Sequence, residues 1–237
     1  MLKRKRSNIS VSKLLSWCKS KNFYVSLSTI SQNMHIAIAG NIGSGKTTLA
    51  TKLSSHYSWE PQFEGIEDNP YLNDFYNDMQ RWAFHLQIYF LQRRFNQILK
   101  IGKSKKTIIQ DRTIYEDGYI FAPNLHAMGL MTTKEYNTYF ELFETVIQQL
   151  RPPELLIYLR ASVPKLVEQI QRRGREYEDS IRLEYLRRLN ERYEAWISTY
   201  NSGKLLIIDV DECNFAEERS CLGNVIQKIS AELHGLF

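Results

Sequence analysis

Short apolar runs alternate along this chain with longer stretches in which apolar residues recur every three or four positions. Ile36-Ala37-Ile38-Ala39, Thr107-Ile108-Ile109-Gln110, Leu155-Leu156-Ile157-Tyr158-Leu159 and Leu205-Leu206-Ile207-Ile208 read as strands, with Ser58-Trp59-Glu60 as a further short one. The run from Leu155 is unbroken, as expected of a parallel strand covered on both faces. Between the strands, helical spacing predicts helices from Thr48, over 71–76 and 81–99, over 132–150, 163–171 and 181–200, and at the carboxyl terminus. In the 81–99 segment, Trp82, Leu86, Tyr89, Phe90 and Phe95 mark the expected inner face. Thr132, with Glu135 three residues on, has the form of a capping box, and Pro152-Pro153 stops the helix it opens. Alternating strands and helices predict an α/β fold, a three-layer sandwich around a five-stranded parallel sheet.

The link between the first strand and first helix changes the picture from fold to chemistry. Gly40-Asn41-Ile42-Gly43-Ser44-Gly45-Lys46-Thr47 fills every fixed position of G-x-x-x-x-G-K-[ST], in the strand–loop–helix context that the pattern requires. Glycines let successive backbone N–H groups point at phosphate oxygens at the positive end of the following helix. Lys46 is expected to reach the β- and γ-phosphates and Thr47 to hold Mg²⁺, with Thr48 completing the loop. These residues predict a P-loop NTPase fold that binds a nucleoside triphosphate.

Charge adds less than its total suggests. The chain of 237 residues carries a net +5, but residues 1–33 hold Lys3, Arg4, Lys5, Arg6, Lys13, Lys19 and Lys21 and no acid, so the remainder carries −2. The high overall charge is therefore no argument for nucleic-acid binding. Three readings of residues 1–33 stand: a natural start at Met34, which we favour, a targeting peptide, or a basic arm. The folded domain is expected over 34–237. No apolar run reaches the length of a membrane span. Cys18, Cys213 and Cys221, odd in number and widely spaced, lead us to expect a reducing, cytoplasmic setting with no disulfide framework or zinc site.

Two further motifs narrow the chemistry. Asp111-Arg112-Thr113 follows the third apolar run, placing a carboxylate where ligands gather in open α/β sheets and a fixed cation beside it. A structural ion pair is the plain alternative for these two. Arg172-Arg173-Gly174-Arg175 follows a helix and has the form of an arginine-rich lid over phosphates, though a solvated helix end would look similar. No Asn-Lys-x-Asp motif for guanine recognition is present.

Together with Glu60-Pro61, Tyr76, Arg81-Trp82, Gln87, Arg94, the run Asp111 to Asp117 ending in Tyr119-Ile120-Phe121-Ala122, Glu178 and Leu183-Glu184-Tyr185-Leu186, these motifs resemble the deoxynucleoside kinase family over residues 34–200. That family includes deoxycytidine, deoxyguanosine and bacterial deoxyadenosine kinases. The resemblance implies transfer of the ATP γ-phosphoryl group to the 5′-hydroxyl of a deoxyribonucleoside, with Mg²⁺ as cofactor, in a homodimer of nucleotide salvage. It assigns Glu60 to the 5′-hydroxyl as first choice of general base and Asp111 as second, with a metal-linked role for Asp111 equally open. It also places Arg112 on the 5′-oxygen and phosphate, Lys46, Arg173 and Arg175 on the donor phosphates, Tyr76 and Glu178 on the sugar 3′-hydroxyl, Gln87, Arg94 and Asp117 on the base edge, and Phe121 against the base. Adenine- or guanine-bearing deoxynucleosides are the expected acceptors, deoxyadenosine first, with deoxycytidine also open.

Three positions depart from the family pattern. Asp111 stands where several animal members carry Glu, Gln169 where some carry a lid arginine, and Gly118 where others often have arginine. A nucleoside monophosphate kinase of the thymidylate kinase type is the alternative enzyme. Glu60 speaks against it, since a carboxylate there would repel a phosphorylated acceptor. A non-catalytic nucleotide-binding protein is the alternative outside enzymes.

Overall fold

Ile36, Ala37, Ile38 and Ala39 have no solvent exposure, and their side chains divide strictly between two cores. A computed structural model describes residues 33–63, 65, 69–175 and 182–235. Residues 1–32, with the basic extension, lie outside the described residues, as does Glu178.

Five strands form one parallel sheet in the order β2-β3-β1-β4-β5. They are β1 (His35–Gly40), β2 (Glu60–Gln62), β3 (Ile108–Asp111), β4 (Leu155–Arg160) and β5 (Lys204–Asp209). The helices are α1 (Lys46–Tyr57), α2 (Leu72–Asn77), α3 (Met79–Ile101), α4 (Ile114–Glu116), α5 (Ala122–Ala127), α6 (Thr133–Ile147), α7 (Val163–Arg173), α8 (Leu183–Ser198) and α9 (Arg219–His234). Because strand side chains alternate between faces, Ile36, Ile38 and Ile157 pack with Leu49 and Leu53 of α1, Leu166 of α7 and Ile229 of α9. Ala37, Ala39 and Tyr158 face Leu86 of α3, Tyr139 and Phe143 of α6 and Leu189 of α8. These are the three layers that the alternation of strands and helices predicts.

Three local readings need correction. The short second strand begins at Glu60 instead of ending there, so Glu60 marks its amino end. The buried face of α3 comprises Ala83, Leu86, Gln87, Leu91, Arg94 and Ile98; Trp82, Tyr89 and Phe95 sit beside this stripe, not on it. Finally, residues 114–127 are helical throughout, with a π-helical turn at Asp117–Phe121 between α4 and α5. Gly118 and Pro123 obscure that helix in the sequence. Pro123 is the second residue of α5, directly after the π-helical turn, where the regular i→i−4 bonding is already interrupted.

The expectation of no disulfide is also overturned. Cys213 and Cys221 are bridged, their Cα atoms 5.7 Å apart across eight residues. The chain between them turns before α9, which brings the two cysteines together.

Candidate active site

The phosphate loop runs from Gly40, at the end of β1, into α1. Gly43 has φ +86°, a left-handed backbone that glycine adopts without penalty, and a side chain there would press on Ile170 and the Leu166 carbonyl of α7. Lys46 Nζ donates to the Asn41 carbonyl at 2.9 Å, folding the loop on itself. The Asn41 side chain turns the other way, donating to the Leu186 carbonyl and to Asn190 of α8 at 3.0 and 2.7 Å.

Asp111 ends β3 beside this loop, paired in register with Ile38. The Thr47 hydroxyl donates to Asp111 Oδ2 at 2.5 Å. A hydroxyl and a carboxylate meeting at a helix amino terminus form a hard oxygen set suited to Mg²⁺, which takes one or two protein ligands and completes its shell with phosphates and water. Arg112 follows with φ +69°, an uncommon left-handed conformation for a branched-out, non-glycine residue. Its N–H donates to the Ile38 carbonyl at 3.0 Å, and its guanidinium lies 4.6 Å from the centre of the Phe121 ring. The strained backbone aims the guanidinium along the sheet's carboxyl edge, where ligands bind in open α/β folds.

A cavity of about 410 Å³ connects these groups, a volume typical of a small-molecule site. Gly43, Gly45, Lys46, Thr47 and Thr48 line one end, and Gln169, Arg172, Arg173 and Arg175 border it from the α7 side. Arg112 and Tyr185 stand in the middle, and Tyr76, Gln87, Asp117 and Phe121 line the far end among Leu72, Phe75, Leu86 and Phe90. The cavity lining thus includes five basic side chains: Lys46, Arg172, Arg173 and Arg175 toward the phosphate loop, and Arg112 in the middle. Arg172 also bonds Glu217 at 2.7 Å, tying α7 to the segment before α9.

The far end is apolar with a few fixed polar groups. Arg94 and Asp117 form an ion pair in which both side chains are almost wholly buried, and the Arg94 guanidinium also lies 5.1 Å from the Phe90 ring centre. Gln87 is buried, and its Oε1 has no hydrogen-bond partner among the described residues. A buried acceptor left unmade costs about 1–3 kcal/mol, which a ligand's N–H would relieve. Gln87 and Arg94 are polar residues on the inner stripe of α3, seven positions apart, and therefore project from one face. Burial pushes the Tyr139 hydroxyl well above its ordinary range, and the nearby Asp117 charge adds to this. Burial likewise raises Tyr185, against the opposing effect of Arg112.

Glu60 is not brought to this cavity. It pairs in register with Ile108, three residues before Asp111, so it lies about 10 Å back along the strand direction. Its side chain is half exposed and faces Lys106 at 3.6 Å. The sequence reading also missed Tyr185, whose place in an apolar helical stripe gave no sign that it faces Arg112.

The profile of the family described as deoxynucleoside kinase matches residues 36–234. The deoxyadenosine/deoxycytidine kinase of Bacillus subtilis (strain 168) is 36% identical over 208 residues, spanning 86% of this chain and 95% of that one. The deoxyadenosine kinase of Dictyostelium discoideum is 43% identical over 166 residues, 70% of this chain and 67% of the relative. A solved structure of deoxyadenosine kinase from M. mycoides with bound dATP superposes with a TM-score of 0.74 at 29% identity, covering 83% of this chain and 99% of that one.

Proposed function

The chain belongs to the deoxynucleoside kinase family, and from that premise we infer that it phosphorylates deoxyadenosine in preference to other deoxynucleosides. Its reaction is transfer of the γ-phosphoryl group of a nucleoside triphosphate to a deoxynucleoside 5′-hydroxyl. The observation that carries the choice of base is the buried far end of the cavity. There, Gln87 presents a carbonyl oxygen and an amide group side by side next to the Arg94–Asp117 pair. Adenine offers an amino donor beside a ring-nitrogen acceptor, the complement of such an amide. Guanine places a carbonyl oxygen where adenine has its amine. Cytosine also pairs an amine with a ring nitrogen, which makes deoxycytidine the expected second substrate.

The donor triphosphate lies in the phosphate loop, its charge met by backbone N–H groups, Lys46 and the α1 amino terminus. ATP is the donor in this account. Thr47 and Asp111 would hold Mg²⁺, which when bound would neutralise charge on the donor phosphates. Arg112, fixed on the Phe121 ring, holds the acceptor 5′-oxygen and the transferring group in line. Arg173 and Arg175 add positive charge where negative charge spreads over the phosphoryl oxygens. Tyr76 holds the sugar.

Asp111 Oδ2 already receives the Thr47 hydroxyl, which suits metal binding more than proton removal. The base that accepts the 5′-hydroxyl proton is then expected from a carboxylate following the carboxyl end of β2. The first in the chain after Gln62 is Glu64, which lies outside the described residues. A homodimer is proposed on family kinship and is tested by light scattering at micromolar concentration, where a monomer mass would refute it. The preference for deoxyadenosine is tested by comparing kcat/KM across the four deoxynucleosides; a deoxyguanosine value above that of deoxyadenosine would overturn it.

A further inference from the structure

Glu116 has no solvent exposure, yet its carboxylate accepts four hydrogen bonds from three separate parts of the chain. Oε1 accepts the Gly40 N–H at 3.3 Å and the Tyr193 hydroxyl at 2.8 Å. Oε2 accepts the Thr113 N–H at 2.7 Å and the Thr113 hydroxyl at 3.2 Å. Gly40 opens the phosphate loop, Thr113 follows Arg112 directly, and Tyr193 belongs to α8, which also carries Tyr185. One side chain therefore joins the loop that holds the donor, the turn that aims the guanidinium, and a helix that walls the cavity.

Helix capping alone does not account for this arrangement. The Thr113–Glu116 pair is a capping box at the start of the helical stretch 114–127, but capping engages only the two Thr113 bonds. Two of the four bonds reach partners 76 and 77 residues away. Burying a carboxylate costs several kcal/mol unless its lone pairs are satisfied. Here every donor that satisfies them comes from a segment whose placement matters for in-line transfer. The Arg112 backbone is in a left-handed conformation that its own propensity disfavours, so a neighbouring restraint is needed. The Glu116 bond to the next N–H supplies it.

We propose that Glu116 is a positioning residue for phosphoryl transfer, locking the first glycine of the phosphate loop to the Asp111–Arg112 turn so that donor phosphate and guanidinium keep a fixed separation. It does not touch substrate; it acts through Gly40 and Arg112. The proposal rests on the kinase reading, which the activity of the unaltered protein tests by itself.

Glu116→Gln keeps the shape but turns an NH₂ group toward two donors in either amide orientation. Misplacing reacting groups by about 1 Å costs up to about a hundredfold in rate, and loss of outer-shell supports in comparable sites costs about 10–100-fold. In steady-state kinetics on folded protein, with the folded fraction measured by circular dichroism, E116Q is expected to lower kcat about 10–100-fold. KM for ATP and for the deoxynucleoside should stay within about threefold, because the groups that bind each are retained. A kcat per folded molecule within about threefold of the unaltered protein, or a change confined to KM, would overturn the proposal. Tyr193→Phe removes one donor and leaves the carboxylate intact, so it decides the matter if E116Q does not fold. It is expected to lower kcat about 3–10-fold at unchanged KM, and an effect below about twofold would contradict the role.

Discussion

Arg94 of α3 and Asp117 of the π-helical turn form an ion pair whose side chains are 1% and 2% exposed, and Asp117 lines the cavity that begins at the phosphate loop, with Arg94 behind it. Removing one partner of such a pair leaves a buried charge uncompensated and costs about 3–5 kcal/mol. Asp117→Ala is therefore expected to lower the melting temperature and to raise the deoxynucleoside KM at least about tenfold, with the ATP KM within about threefold. Thermal unfolding and steady-state kinetics check both parts. An unchanged deoxynucleoside KM would remove the pair from base recognition.

Glu60 lies at the amino end of β2 and faces Lys106 across 3.6 Å, with both side chains largely in solvent. Exposed pairs of this kind contribute about 0–1 kcal/mol. Glu60→Gln is expected to leave kcat within about threefold, whereas Glu64→Gln should lower it at least about a hundredfold, the usual scale for a general base. Single-turnover rates for the two variants separate the assignments. A large loss for Glu60→Gln with none for Glu64→Gln would restore the first reading of the sequence.

The Thr47 hydroxyl and Asp111 carboxylate meet at 2.5 Å. Replacing Thr47 by Val keeps the shape and removes the hydroxyl. The Mg²⁺ concentration for half-maximal activity is expected to rise about 10–100-fold, and chelation with EDTA should abolish turnover until Mg²⁺ is restored. A Mg²⁺ titration identical to that of the unaltered protein would move the metal elsewhere.

Gly118 is held by close approach, with no need for special backbone angles. A methyl group added there would run into the Phe143 ring, which is fully buried on α6. Alanine ordinarily stabilises a helix by about 1 kcal/mol relative to glycine, but overpacking of a filled core costs about 1–3 kcal/mol. Gly118→Ala is expected to lower the melting temperature by several degrees, and the double variant with Phe143→Leu to recover part of the loss. Differential scanning calorimetry decides; a raised melting temperature for Gly118→Ala would contradict the packing argument.

The residues that were legible in the sequence are those whose roles are local. The phosphate loop needs a glycine pattern between a strand and a helix, and it stands where the pattern predicts. Asp111 ends an apolar strand and so reaches the sheet's carboxyl edge. Glu60 was misread because β2 has three residues, Glu60-Pro61-Gln62, with no alternation to fix its limits. A shift of two residues reversed the end of the strand that Glu60 marks. Gln87 and Arg94 are helical, but aromatic neighbours outline a more conspicuous stripe than the face that is buried. The arginine that the family often carries at position 118 is excluded here by Phe143, a contact between segments 25 residues apart that no local pattern reveals.

The most direct test of the account is a phosphoryl-transfer assay with Mg²⁺ and ATP against the four deoxynucleosides, the ribonucleosides and the nucleoside monophosphates. Deoxyadenosine is expected to turn over with the highest kcat/KM and deoxycytidine next, with no transfer to monophosphates. Silence on every nucleoside together with turnover of a monophosphate would contradict it.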